Sequence, residues 1–276
     1  MKKRKLKKII ILLIPIISII SIIISVYNII NWNNDNNKTE KMIDEIEKIT
    51  IIQEVKETEE NTENIEVIEP TEEIPKFNPY WDYIKMNLID VDFSSLHEVN
   101  NDIKGWIQVN GTNINYPFVQ TTDNKYYLKH SFDKSYNSAG WVFLDYRNNF
   151  DVLDKNTIIY AHGRLDNTMF GSLKNILKSG WLNNTNNYVI KLSAEKHNTL
   201  WQVFSVYHIP TTNDYIRVNF KNNENFLEFA NMLMQRSFHN FNTTITENDN
   251  ILTLSTCYND TEKVVLHAKL IKKETR

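Results

Sequence analysis

The chain carries one cysteine, Cys257, and it closes an alternating run, Ile251-Leu-Thr-Leu-Ser-Thr-Cys257. Alternation of this kind marks a strand, so the thiol stands at a strand end. A lone thiol cannot close a disulfide within the chain. It is left to act as a small buried hydrophobe, a bridge to another molecule, or a nucleophile. His162 follows a second strand-like run, Thr157-Ile-Ile-Tyr-Ala161, and Gly163 behind it allows a tight turn. If the two runs lie side by side and parallel, imidazole and thiol emerge at one rim. An imidazole beside a thiol can take its proton and leave a strong nucleophile at neutral pH. Either residue alone reads plainly as core filling; two strand exits of the same kind point to chemistry. His97, His130, His197, His208, His239 and His267 lack such a setting, and His267, on the last strand, reads as surface or core filling.

The elements that must hold this pair are mostly strands. Gly105–Val119 reads as a strand, an Asn-Gly hairpin signal at 110–111 and a second strand. Gly140–Asp145, Thr157–Ala161, Tyr188–Leu192, Leu200–His208, Ile251–Thr256 and Val264–Ile271 read as further strands. Short helices are expected within Tyr80–Leu96, with Asp92 or Ser94 as N-cap, and over Met169–Leu177. Phe226, Leu227, Ala230, Leu233, Met234 and Phe238 give Glu224–Phe238 the spacing of an amphipathic helix. Many short strands separated by turn signals predict a mostly β, closed barrel of about eight strands, decorated with N-terminal helices and one helix before the cysteine strand. No internal repeat, Gly-rich phosphate loop or zinc-spaced Cys/His cluster is present in the sequence, and neither metal nor cofactor is expected.

The net charge of −3 over 276 residues suggests no nucleic-acid surface. The N-terminus stands apart. Residues 1–8 are densely basic, and Ile9–Ile30 carries no charge. About 20 apolar residues span a bilayer, and Pro15 and the serines are tolerated in such a helix. The run lacks a small-residue cleavage site, which favours an uncleaved anchor over a signal peptide. The basic flank should stay cytoplasmic, leaving the bulk of the chain outside the cell membrane, with Trp32 at the interface. The acidic segment 31–79 reads as a stalk with a short helix near Glu40–Val55. The expected organisation is a basic tail (1–8), a single-pass anchor (9–30), a linker (31–79) and a folded domain (80–276).

Thr253-Leu-Ser-Thr-Cys257 resembles the nucleophile motif of sortases, and Tyr160-Ala-His-Gly163 their histidine motif. Within that family the likeness is to class B. Asp102–Ile107, Gly111–Pro117, Phe143–Asn148 and Met169–Leu173 are similar to its recurring blocks, as is the helix before the cysteine strand. The resemblance runs from about Trp81 to Leu270. It implies a cysteine transpeptidase in which Cys257 attacks the Thr carbonyl of a C-terminal sorting signal on a secreted protein. A thioacyl enzyme forms, and a peptidoglycan amine resolves it. His162 would act as general acid and base, and backbone N–H groups beside Cys257 would receive the oxyanion. Asn124 and Leu128 match a pair that touches the sorting peptide, and Tyr160 and Ser255 match positions beside the catalytic pair. Each of these four also has a plain core, turn or strand-face reading.

One position departs from the family pattern. Sortases share an Arg at the start of the last strand, and alignment of Val264–Leu270 puts Lys263 in its place. Lysine keeps the charge but not the planar fork. Lys263 substitutes, or Arg147 or Arg164 reaches in, or activity is weak or lost. A hydrolysing thiol peptidase and a peptide-binding module that no longer catalyses stay open as alternatives.

Overall fold

The computed structural model describes residues 2–55, 62–70 and 73–276; the side chains of residues 2–12 and of Thr62 are outside that description. The acidic run at 57–60, part of the expected linker, lies outside the described residues. In chain order the elements are α1 (Lys2–Ile49), β1 (Ile51–Val55), β2 (Ile65–Val67), α2 (Tyr80–Tyr83), β3 (Leu88–Asp92), α3 (Ser94–Val99), β4 (Ile103–Val109), β5 (Asn115–Val119), β6 (Phe143–Leu144) and β7 (Asn156–Tyr160). There follow α4 (Ser179–Leu182), β8 (Val189–Ser193), β9 (His197–Pro210), α5 (Asn223–Gln235), β10 (Ile251–Cys257) and β11 (Glu262–Thr275).

Eight strands close on themselves in the order β10-β7-β6-β5-β4-β8-β9-β11, with β11 pairing back onto β10. Closure removes the free edges that an open sheet would expose. The long strands β9 and β11 run antiparallel, and register shifts at His267/Ala268 and Leu270/Lys272 let them bend around the barrel. The two faces of each strand then have different partners. Leu252 and Leu254 of β10, with Val264 and Leu266 of β11, point into the main core. Ile251 and Val265 point outward, where Phe226, Phe229, Ala230 and Leu233 of α5 cover them. Those four residues occupy one stripe of the helix, and the Asn222 side chain caps its start by accepting from the Asn225 N–H at 2.9 Å.

Several expectations are refined. Gly111, with φ +71°, turns the β4–β5 hairpin, but the connection is longer than the dipeptide, since β5 begins at Asn115. Gly140–Asp145 pairs as a strand only at Phe143–Leu144. The segment predicted as a helix over Met169–Leu177 is a 3₁₀ helix, Gly171–Leu177. At α3 the Asp92 carboxylate accepts from the Ser94 N–H at 2.9 Å while Phe93 holds the cap position.

The segment expected as a solvated linker is partly docked. Among the described residues, Leu13–Ile49 of α1 is long and apolar enough to be a candidate membrane span, with its apolar residues exposed as far as Trp32. Beyond Trp32 the helix changes character. Asp35, Thr39, Met42 and Ile46 are buried; their spacing keeps them on one face, which packs on the domain. Next, β1 pairs antiparallel with β3, and β2 with β11 beyond the end of β10. Composition hid this because a single apolar stripe is diluted by the charged residues on the other faces.

Candidate active site

The site is built where β7 and β10 end. They are parallel neighbours, in register from Ile251 opposite Asn156 to Ser255 opposite Tyr160. Two residues further along each chain stand Cys257 and His162, so both leave the barrel at one rim. Gly163 makes this approach feasible: a Cβ there would lie 2.2 Å from the Cys257 carbonyl oxygen and 3.0 Å from Thr256 Oγ1. Thr256 ties the two exits by donating from Oγ1 to the Ala161 carbonyl at 2.8 Å.

His162 is oriented by main chain. Its Nε2–H donates to the Leu128 carbonyl at 2.9 Å, because a carbonyl can only accept; in the neutral ring this leaves Nδ1 with the lone pair. Leu128 therefore contributes through its carbonyl as well as through the side chain that lines the cleft. Sequence reading did not find this contact, since a backbone acceptor has no residue signature. Gly140, at φ +63°, lets the chain pass close by: a Cβ there would lie 3.1 Å from His162 Cδ2.

Lys263 sits directly across from Cys257 in the β10–β11 pair, and its Nζ donates to Cys257 Sγ at 3.0 Å. An ammonium at this distance gives a thiolate a charge partner. Arg147 is engaged elsewhere, forked onto Asp145 at 2.8 and 2.7 Å and donating to the Ile216 carbonyl at 3.0 Å. Arg164 binds Asp166, Thr168 and Asn36. Of the backbone donors expected to receive an oxyanion, the Tyr258 N–H is already engaged, donating to the Glu262 carbonyl at 2.9 Å.

A cleft of about 470 Å³ opens over the cysteine, with Asn124, Leu128, Tyr160 and Ser255 in its wall. Residues 211–216 supply the facing wall through Thr211, Asn213, Tyr215 and Ile216, a loop that sequence reading passed over. Beneath the cleft lies Asp145, fully buried. Burial pushes its carboxyl up, but the Arg147 guanidinium and the Tyr160 hydroxyl outweigh this and hold it below the usual carboxylate range. It accepts from Tyr160 Oη at 2.9 Å and Asn124 Nδ2 at 3.0 Å, so one buried anion fixes two cleft side chains. Burial, then the Asp145 charge, raises the Tyr160 phenol, which stays a neutral donor. Ser255 Oγ pairs with Tyr215 Oη at 2.9 Å. Among the described residues no cluster suited to a metal ion occurs.

Known proteins share this sequence pattern and fold. Residues 107–271 match the sortase domain model. The chain is 38% identical to sortase B of Staphylococcus aureus over 184 residues, covering 65% of this chain and 75% of that protein. A crystal structure of sortase B complexed with triglycine superposes with a TM-score of 0.62 at 36% identity, over 65% of this chain and 85% of that one. A Staphylococcus aureus sortase B–substrate complex does so with a TM-score of 0.61 at 37% identity, over 65% and 84%. The chain belongs to the sortase family and is class B-like. Its enzymatic class is that of a sortase-type cysteine transpeptidase.

Proposed function

We propose that this transpeptidase attaches secreted proteins to peptidoglycan from the outer face of the cell membrane. It is held there by the apolar part of α1, with the basic N-terminus cytoplasmic. The observation that carries the reading is the meeting of His162, Cys257 and Lys263 at one rim, at the mouth of a cleft with largely uncharged walls. Such a cleft suits an extended peptide of uncharged side chains.

His162 takes the thiol proton through Nδ1, and Cys257 Sγ attacks the carbonyl carbon of a Thr in a C-terminal sorting signal. The carbonyl oxygen becomes an oxyanion opposite the Lys263 ammonium, which stands where the family arginine is expected. When the intermediate collapses, the peptide C–N bond breaks and the leaving amine collects the proton from His162. A thioester remains on Cys257. An amine of peptidoglycan, losing its proton to His162, then attacks the thioester. A new amide forms and the thiolate leaves, restored beside Lys263. Asn124, Leu128, Tyr160 and Ser255 hold the peptide.

The test is a library of peptides bearing sorting-type C-termini, with mass detection of products and of the adduct on Cys257. Wild type should form a thioester and release the C-terminal fragment, and Cys257→Ala should do neither; cleavage retained by Cys257→Ala would reject the assignment. A second reading, hydrolysis without transfer, is motivated by Lys263 in place of arginine. Added triglycine separates the two, because the relative crystallised with triglycine makes a glycine amine the first acceptor to try. Amide product marks a transferase; free acid alone marks a peptidase.

A further inference from the structure

Two clefts meet at Cys257. They share only His162 and Cys257. The second, of about 260 Å³, is walled by Trp32, Ser138, Arg164 and Leu165. Trp32 belongs to α1, so the candidate membrane helix itself contributes to the site. Its placement is held by polar contacts just beyond. Asp35 accepts from the Ser138 N–H at 3.2 Å, and Thr39 Oγ1 accepts from Asn137 Nδ2 at 3.0 Å. Arg164, in the loop that follows His162, donates to the Asn36 side chain. Both loops that flank the imidazole are thus fastened to the helix that leads into the apolar run.

A helix rises about 1.5 Å per residue, so Trp32 stands within one turn of Ile30, where the uncharged run ends. Tryptophan favours the membrane interface. Leu165, which shares the cleft with Trp32, is 86% exposed, and an apolar side chain so placed gains by contact with a bilayer surface. A transfer reaction needs a donor and an acceptor to reach one sulfur in turn. The larger cleft suits the donor peptide, and the thioester that occupies it leaves the other side of the sulfur for the amine.

We propose that the second cleft is the acceptor port, and that Trp32 is an acceptor-positioning residue carried by the membrane helix. The port opens at the bilayer, so the accepted amine belongs to a peptide presented at the membrane surface. This rests on the transpeptidase reading above.

The experiment uses the full chain in phospholipid nanodiscs, a donor peptide from the library assay, and triglycine as acceptor, free or coupled through its C-terminus to a lipid. The ratio of amide to hydrolysed product isolates the acceptor step from acylation. Trp32→Ala should lower that ratio about tenfold for both acceptors, by raising the acceptor concentration needed rather than by lowering the saturated rate. Trp32→Phe should restore most of it, and the wild-type enzyme should prefer the lipid-borne acceptor. Leu165→Ser should lower the ratio for the lipid-borne acceptor more than for the free one. An unchanged ratio in Trp32→Ala overturns the port, and equal use of free and lipid-borne triglycine by wild type overturns its membrane placement. If no peptide acylates Cys257, the transpeptidase reading fails first, and this proposal with it.

Discussion

Strand β10 has a histidine near each of two stations, and the two sit in opposite settings. At its C-terminal end, His162 stands on the open rim with one ring nitrogen tied to the Leu128 carbonyl and the other free of that bond. Midway along, His267 of β11 lies opposite Thr253 and is fully buried. Thr253 Oγ1 gives its hydrogen to Asn156 Oδ1 at 2.7 Å, so it must accept from His267 Nδ1–H at 2.9 Å. The other nitrogen then accepts from Tyr207 Oη at 2.8 Å. The buried ring has both nitrogens committed and nowhere to pass a proton. Position along a strand, rather than residue type, separates an imidazole with a ring nitrogen available at the rim from one fixed in the core.

The largest break in this comparison is at the rim. His162→Asn keeps a side-chain donor for the Leu128 carbonyl but removes the ring nitrogen proposed to carry the proton. Peptide cleavage should fall about 10²–10⁴-fold, measured as kcat/KM, with the fold intact by circular dichroism. A fall below tenfold would move the acid–base role elsewhere.

The charge beside the sulfur comes next. Lys263→Met keeps the length of the stem and removes the ammonium. Loss of one oxyanion-type donor costs about 10²–10³ in kcat, and a loss of that size is expected here. Lys263→Arg should retain or raise activity, because the fork can serve thiolate and oxyanion together. If methionine is tolerated, Lys263 is a solvated strand-end charge and another donor must receive the oxyanion.

A smaller and more geometric change is Gly163→Ala. The added Cβ would meet the Cys257 carbonyl, which is backbone and cannot swing aside. The two strand exits must part, and small misplacements of reacting groups are expensive. The expected loss is about 10-fold or more in kcat, with KM for the peptide less affected. The same substitution far from the rim, at the open position Gly180, should leave activity unchanged.

Much of the barrel could be read in advance because its strands alternate. Leu252 and Leu254 against Ile251, and Val264 and Leu266 against Val265, are the pattern of strands covered on both sides, and the α5 stripe is equally plain. The parallel β7–β10 pairing was posed as a condition on the sequence, and the register meets it. What stayed hidden depends on main chain or on distant packing. Leu128 matters to His162 through a carbonyl that any residue would carry. Asp145 lies inside the Phe143–Asn148 block, yet its hold on Tyr160 and Asn124 appears only when the chain is folded. The docking of α1 was obscured because four buried positions, Asp35 to Ile46, sit among acidic and basic neighbours on the exposed faces.

The subtlest test is on the buried side of the comparison. Burial, with a smaller push from Arg236, depresses His267 to about 3, and burial lowers His197 to about 4. Above roughly pH 6.5 both are neutral folded and unfolded, and neither affects the balance. As pH falls from there, the unfolded chain takes up protons that the folded core refuses until about pH 3–4, so stability declines. Each group contributes at most about 1.4 kcal/mol per pH unit. The carboxylates held low, Asp145 and Asp166 among them, act only below the ordinary carboxylate range. The interval between about pH 6.5 and 5 therefore belongs mainly to the histidines. His267→Phe should cost about 1–3 kcal/mol at neutral pH, because Tyr207 and Thr253 lose a partner, and it should flatten the decline in that interval. Urea unfolding at stepped pH reads both effects. An unchanged slope would mean that His267 gains a proton in the folded state after all, and that the core is wetter than its packing shows.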